Sequence, residues 1–174
     1  INDLLDISRI ESGRMEMKFI PHNVGSLVEN VRDILTPQMK EKGIQFKAEI
    51  APALPEIVMD SSQMERVLIN LMGNAVKFTP EQGTVTFRAQ PDKETVLFSV
   101  TDTGIGIKED EIPKLFNEFY RVENEINQTV KGTGLGLVLA KKIIDAHHGK
   151  IWVTSKPHQG TTFSFSLPLT QILQ

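Results

Sequence analysis

The sequence contains no cysteine. That absence excludes a disulfide scaffold, a thiolate zinc site and a cysteine nucleophile. No apolar run approaches the roughly 18–20 residues that span a bilayer, and no secretory leader is visible. Charge of one sign is also missing. Lys and Arg number 19 against 22 Asp and Glu, the net charge is −3, and the two signs are mixed along the chain. A nucleic-acid binder needs a basic stripe, so no nucleic-acid partner is expected. What is present is 174 residues, 40% hydrophobic and 24% charged. That is enough for one globular domain with a sizeable core and no metal or disulfide staple.

The chain opens on Ile1, with no initiator Met, inside a helical stripe of Ile1, Leu4, Leu5, Ile7 and Ile10 that Gly13 ends. A fragment of a longer protein is therefore expected. The stripe either packs on its own domain or is the tail of a longer helix paired with another chain, and its truncated start favours the second. Residues 15–21 alternate as a strand would. Val24 to Lys42 reads as an amphipathic helix with Val24, Leu27, Val28, Val31, Leu35 and Met39 on its apolar face and Gly43 as its C-cap. Strands are expected at 44–50 and 57–59, then a helix capped by Asp60 or Ser61 and stopped by Thr79–Pro80.

Two well-patterned strands follow at 84–89 and 95–101, with residues 90–94 as the hairpin connection. A glycine-rich, irregular stretch occupies about 103–132, and in a compact domain a loop that long is usually functional or mobile. Leu137 to His148 reads as a helix ended by Gly149, and 151–154 with 161–169 as a closing hairpin. Helices on one side and mostly antiparallel strands on the other give an α+β class, a two-layer α/β sandwich.

Four stretches carry side chains suited to chemistry. On the helix before Thr79, Asn70, Asn74 and Lys77 fall at i, i+4 and i+7 on the face opposite the core. Two asparagines gain a helix nothing, whereas carboxamide oxygens ligate Mg²⁺ beside phosphate oxygens and Lys supplies a point charge. Alternatively, this is a solvated face. Asp102 ends a strand and leads into Gly104 and Gly106, glycines that imply backbone close to something leaving no room for Cβ. Its carboxylate can accept from an exocyclic amine such as that of adenine. Asp-Thr-Gly is also the aspartic-protease signature, but that chemistry needs two such aspartates and one is present. The run Gly132-Thr133-Gly134-Leu135-Gly136-Leu137 enters a helix, where unpaired N–H groups attract an anion; it is neither a P-loop nor a Rossmann fingerprint. The fourth stretch, Leu115 to Arg121, is an aromatic cluster with an arginine, or else a satellite hydrophobic cluster.

Each stretch is ambiguous alone, but their order is not. An Asn-x-x-x-Asn helix, Asp-x-Gly-x-Gly after a strand, Phe-x-x-Phe-Tyr-Arg, and Gly-Thr-Gly-Leu-Gly-Leu before a helix resemble the N box, first glycine box, F box and second glycine box of sensor histidine kinases. The resemblance runs from about residue 15 to the end. It implies a Bergerat-type ATP-binding fold with a mixed, mostly antiparallel sheet and helices on one face. It implies ATP and Mg²⁺ as cofactors, with Asn74 ligating the metal, Asn70 supporting it, Lys77 and Arg121 on phosphate and Asp102 on the adenine amine. By the same resemblance Gly104, Gly106 and Ile107 approach the base. Phe119, Tyr120, Lys131, Gly132, Thr133, Gly134, Leu135, Gly136 and Leu137 lie about the nucleotide, and Thr161 or Thr162 reaches adenine through water. Residues 122–134 match the mobile ATP lid.

Residues 1–14 resemble the end of the dimerisation and phosphoacceptor hairpin, leaving 15–174 as the catalytic domain. The implied activity is transfer of the γ-phosphate to a histidine on that hairpin, upstream of this sequence, so autophosphorylation of the fragment alone is not expected. His22, His147, His148 and His158 lack the acceptor context and read as surface or cap residues. The implied partners are the hairpin of the same protein, a response-regulator receiver domain and a second copy of a homodimeric parent. The implied location is cytoplasmic, with an inner-membrane anchor left open for the parent. The alternatives are a gyrase-type ATPase, disfavoured because Asn70 stands where those enzymes carry a water-activating glutamate, and a non-catalytic nucleotide-binding module.

Overall fold

Asn23 starts the longest helix by accepting the Ser26 N–H on its side chain, and Gly43, in the left-handed region at φ 63°, ends it. This helix, α2 (Val24–Lys42), buries the six apolar residues its periodicity selects. A second amphipathic helix, α3 (Ser61–Phe78), is capped by Asp60 and buries Met64, Val67, Leu68, Leu71, Met72, Ala75 and Val76. A third, α5 (Gly136–Ala146), buries Val138, Leu139, Ala140, Ile143 and Ile144. The structure is a computed structural model describing residues 2–170; Ile1 and residues 171–174 lie outside the described residues.

All three helices cover one face of a five-stranded sheet in the order β2-β4-β5-β7-β6. The strands are β2 (Gln45–Ile50), β4 (Thr84–Asp92), β5 (Thr95–Asp102), β6 (Lys150–Ser155) and β7 (Thr161–Pro168). Among the described strands of this sheet, only β2 and β4 pair in parallel. Period-two alternation sends Phe87, Phe98 and Phe165 inward from adjacent strands, and the rings of Phe98 and Phe165 stack at 4.7 Å. Ser99, Thr101, Thr162 and Ser164 fall on the other face, which none of the described helices covers. This is the expected two-layer α+β sandwich. The same alternation places Asp102 on the inward face with Val96, Phe98 and Val100, directly opposite Thr161.

Several boundaries differ from the sequence pattern. Residues 15–19 form no strand. Only β1 (Ile20–His22) pairs, antiparallel with β3 (Ile57–Met59), while the Lys18 N–H is taken by Asp60 Oδ2 at 2.9 Å. The β4–β5 hairpin is tighter than the expected five-residue connection. Its strands pair as far as Asp92 and Thr95, with Lys93 at φ 58°. Pro91 is tolerated because β2 stops pairing at Ala89, so β4 has no neighbour on that side to receive an N–H, although Val96 of β5 lies opposite on the other. The irregular stretch holds a 3₁₀ turn at Ile112–Lys114 and a short helix, α4 (Glu125–Thr129), capped by Asn124.

The first helix, α1 (Asn2–Glu11), turns Ile7 into this domain's own core and leaves Leu4 and Leu5 about half exposed. Arg66 holds Asp6 at 2.8 Å and Asp3 at 3.4 Å, and Lys142 holds Glu11 at 2.8 Å. The stripe thus packs on its own domain through Ile7, while Leu4 and Leu5 stay exposed.

His147 corrects the expectation of a surface histidine. It caps the end of α5, as a cap residue would, but it is fully buried against the edge of Phe19. Its Nε2 accepts the Asp60 N–H at 3.0 Å, so Nδ1 carries the proton and donates to the Ile143 carbonyl at 2.8 Å. The ring must stay neutral, and burial lowers its pKa from the usual 6.5. The lowered pKa gives the sign: its contribution is present above 6.5 and is lost as pH falls toward the folded value. The stability advantage of wild type over His147→Gln in urea unfolding is expected to be about 1–3 kcal/mol near neutrality. It should shrink on acidification to about pH 5.5.

Candidate active site

The uncovered face of α3 presents Asn70, Asn74 and Lys77, all partly buried, to a cavity of about 760 Å³. Such a volume suits a ligand of nucleotide size. The end of β5 contributes Asp102, the turn after it Gly106 and Ile107, and β7 contributes Thr161. From the long connection come Tyr120, Arg121, Lys131, Gly132, Thr133 and Gly134, and the start of α5 adds Gly136 and Leu137. The cavity thus gathers residues from four stretches far apart in sequence. Four candidates lie off it. Gly104 is buried behind the first glycine turn, Leu135 belongs to the core, Phe119 is 61% exposed, and Thr162 faces Thr101 across the sheet with their hydroxyl oxygens 3.0 Å apart.

Asp102 is 7% exposed. Its Oδ1 accepts the N–H of Gly104 at 2.8 Å and of Thr161 at 3.3 Å, while Oδ2 has no protein partner among the described residues. Burial pushes its pKa up to about 6, and the two N–H groups oppose that rise. A Cβ on Gly104 would stand 2.5 Å from the Phe78 carbonyl, and one on Gly106, at φ 71°, would stand 2.0 Å from that of Lys156. Glycine at 104 lets this turn fold back against the end of α3, and glycine at 106 lets it pass the backbone after β6.

The second glycine turn meets the aromatic stretch. The Phe119 N–H donates to the Gly134 carbonyl at 3.0 Å, and a Cβ on Gly134 would stand 2.6 Å from the Phe119 backbone. Phe119 itself is held at φ 64°, a conformation that costs a non-glycine residue energy. Two residues after Gly134, α5 begins with no side-chain cap, and a Cβ on Gly136 would stand 2.9 Å from Asn70 Oδ1. An uncapped helix N-terminus therefore opens beside the asparagine face, with N–H groups available to an anion.

Lys77 and Arg121 converge. Lys77 Nζ and an Arg121 Nη each stand 2.9 Å from Asn127 Oδ1. Burial and then the adjacent guanidinium lower the Lys77 pKa. Sequence reasoning missed Asn127. The spacing of Asn124 and Asn127 signals a capped turn, since Asn124 Oδ1 accepts the Asn127 N–H at 2.7 Å, but nothing in the pattern places that turn over two cations.

The carboxamides of Asn70 and Asn74 make no hydrogen bond to protein among the described residues, and those residues contain no cluster of three His, Cys, Asp or Glu able to hold a metal. Two neutral oxygens suit a hard cation that arrives with its own anionic oxygens, not a resident ion. A buried unpaired carboxylate oxygen, two convergent cations and an uncapped helix end fit an amine-bearing base joined to phosphates.

Residues 59–171 match the family model described as histidine kinase-, DNA gyrase B- and HSP90-like ATPase. The non-motile and phage-resistance protein of Caulobacter vibrioides is 40% identical over 173 residues, covering 97% of this chain and 20% of that protein. Full-length ShkA in complex with AMPPNP superposes with a TM-score of 0.85 at 31% identity, covering 99% of this chain and 36% of that one. Histidine kinase ThkA in complex with response regulator protein TrrA superposes with a TM-score of 0.75 at 28% identity, covering 96% of this chain and 47% of that one. The chain spans a fifth to a third of the length of the curated relatives it matches first.

Proposed function

This chain belongs to the histidine kinase-, DNA gyrase B- and HSP90-like ATPases, and on that premise we propose that it is the catalytic domain of a protein-histidine kinase acting in two-component signalling. One observation carries the reading: the Asn70–Lys77 face, the Asp102–Ile107 turn and the Gly132–Leu137 turn line one cavity. ATP with Mg²⁺ would supply the phosphoryl group and the charge that steadies its oxygens. Asp102 Oδ2 would accept from the adenine amine and so fix the base. Asn74, supported by Asn70, would hold the metal. Lys77, Arg121 and the α5 N-terminus would neutralise the phosphates, and phosphoryl transfer depends mostly on such positioning and charge.

The amide of Asn70 cannot take a proton from water, which favours transfer to a protein acceptor over hydrolysis. None of the chain's four histidines lines the cavity, so the acceptor is assigned to a separate dimerisation hairpin. Residues 1–14 are proposed as the end of that hairpin, with Leu4 and Leu5 as its remaining exposed face. Residues 15–174 form the catalytic domain and 122–134 its lid. A homodimeric parent, a receiver-domain partner and a cytoplasmic location complete the proposal. No described helix is long and apolar enough to cross a membrane.

The test is incubation with γ-labelled Mg-ATP, with and without a supplied hairpin bearing the acceptor histidine. Acid-labile label is expected on the hairpin and none on this chain. Label on this chain's own histidines would contradict the assignment of the acceptor. Steady release of free phosphate without acceptor would favour a gyrase-type ATPase, and ATP binding with no transfer a nucleotide-sensing module.

A further inference from the structure

We propose that Asn127 is a stand-in ligand: its side-chain oxygen occupies the place of a nucleotide phosphate oxygen, so ATP binds by displacing it. The inference rests on the ATP reading above. Its ground is the convergence of Lys77 and Arg121 on that one neutral oxygen, each at 2.9 Å, inside the cavity. Two cations brought together repel, and a neutral amide offsets that only weakly. An anionic oxygen in the same place keeps both hydrogen bonds and adds direct Coulomb attraction to both cations, which a neutral oxygen lacks.

The arm that carries the amide is preorganised. Asn127 Nδ2 donates to the Val122 carbonyl at 2.8 Å, and its N–H donates to Asn124 Oδ1. Arg121 adds a bond to the Val130 carbonyl at 2.7 Å, closing the segment over the cations. Yet α4 buries no residue of its own, so little packing opposes its release. Asn127 therefore holds the two cations in register for phosphate while keeping them satisfied in the free protein.

The cost of displacement falls only on ligands whose phosphates reach Lys77 and Arg121. Adenosine, read by Asp102, escapes it. Asn127 thus sets the discrimination between phosphorylated and unphosphorylated ligands and couples phosphate binding to movement of the 124–130 segment.

Calorimetric titration of wild type, Asn127→Ala and Asn127→Asp with adenosine and with Mg-AMPPNP tests this. Adenosine affinity is expected to be the same in all three proteins, which also reports that each is folded. Mg-AMPPNP affinity is expected to rise about tenfold in Asn127→Ala, where the rival oxygen is gone, and to fall about tenfold in Asn127→Asp, where the rival is charged. Unchanged or weaker Mg-AMPPNP binding by Asn127→Ala, or a shift of both variants in one direction, would overturn the displacement while leaving the ATP site intact. Failure of wild type to bind either ligand would overturn the ATP reading and the displacement with it.

Discussion

Asp102→Asn is expected to lower nucleotide affinity about 100-fold and, at the same time, to make the free protein more stable. Oδ1 must remain an oxygen, because the Gly104 and Thr161 N–H groups both point at it. The new amide nitrogen then takes the place of Oδ2 and sets a donor against the donor of the base. Losing a hydrogen bond to a charged group costs about 1.5–3 kcal/mol, and leaving two donors face to face adds to that. The stability change has the opposite sign. A folded pKa of about 6 against the usual 3.8 means that the fold resists ionising this carboxyl, so the ionised form strains the native state above pH 6. Removing it should stabilise the free protein by about 2 kcal/mol at pH 8, read from urea unfolding. The same titration predicts that wild type loses nucleotide affinity as pH falls through about 6, since the proton lands on Oδ2 and turns the acceptor into a donor.

Asn74→Ala is expected to cut phosphotransfer from Mg-ATP about 100-fold or more, because it would remove the oxygen proposed to hold the metal against developing charge. Binding of ADP in the presence of EDTA should stay within about twofold of wild type, for the base and its pocket are untouched. Equal losses with and without metal would contradict metal ligation by this residue. EDTA should leave the melting temperature of the free protein unchanged, since two neutral carboxamides hold no ion by themselves.

The sequence carried the helices well, because α2, α3 and α5 each have a helical apolar stripe and a capping residue at the start or end of it. It carried the sheet less well where pairing, not pattern, decides. Residues 15–21 alternate, but only 20–22 have a strand to pair with. Pro91 falls in the expected 90–94 connection, yet it pairs within β4, where β2 has no residue to take an N–H.

At the site, motif order brought the asparagine face and both glycine turns to attention, while the inward turn of Asp102 shows only in the folded strand, which runs one residue past the expected end. Asn127 was invisible because its role depends on where the 124–130 segment lies, which no period encodes. His147 escaped for a related reason. The groups that its ring nitrogens bond, on Asp60 and Ile143, come from the start of one helix and the last turn of another, 87 and 4 residues away.

The central claim is that three distant stretches form one nucleotide site, and an NMR titration with Mg-AMPPNP tests it most directly. The backbone amides of Asn74, Gly106 and Gly136 are expected to shift together, along curves that fit one dissociation constant. Movement of one stretch alone, or separate constants for the three, would contradict a shared site.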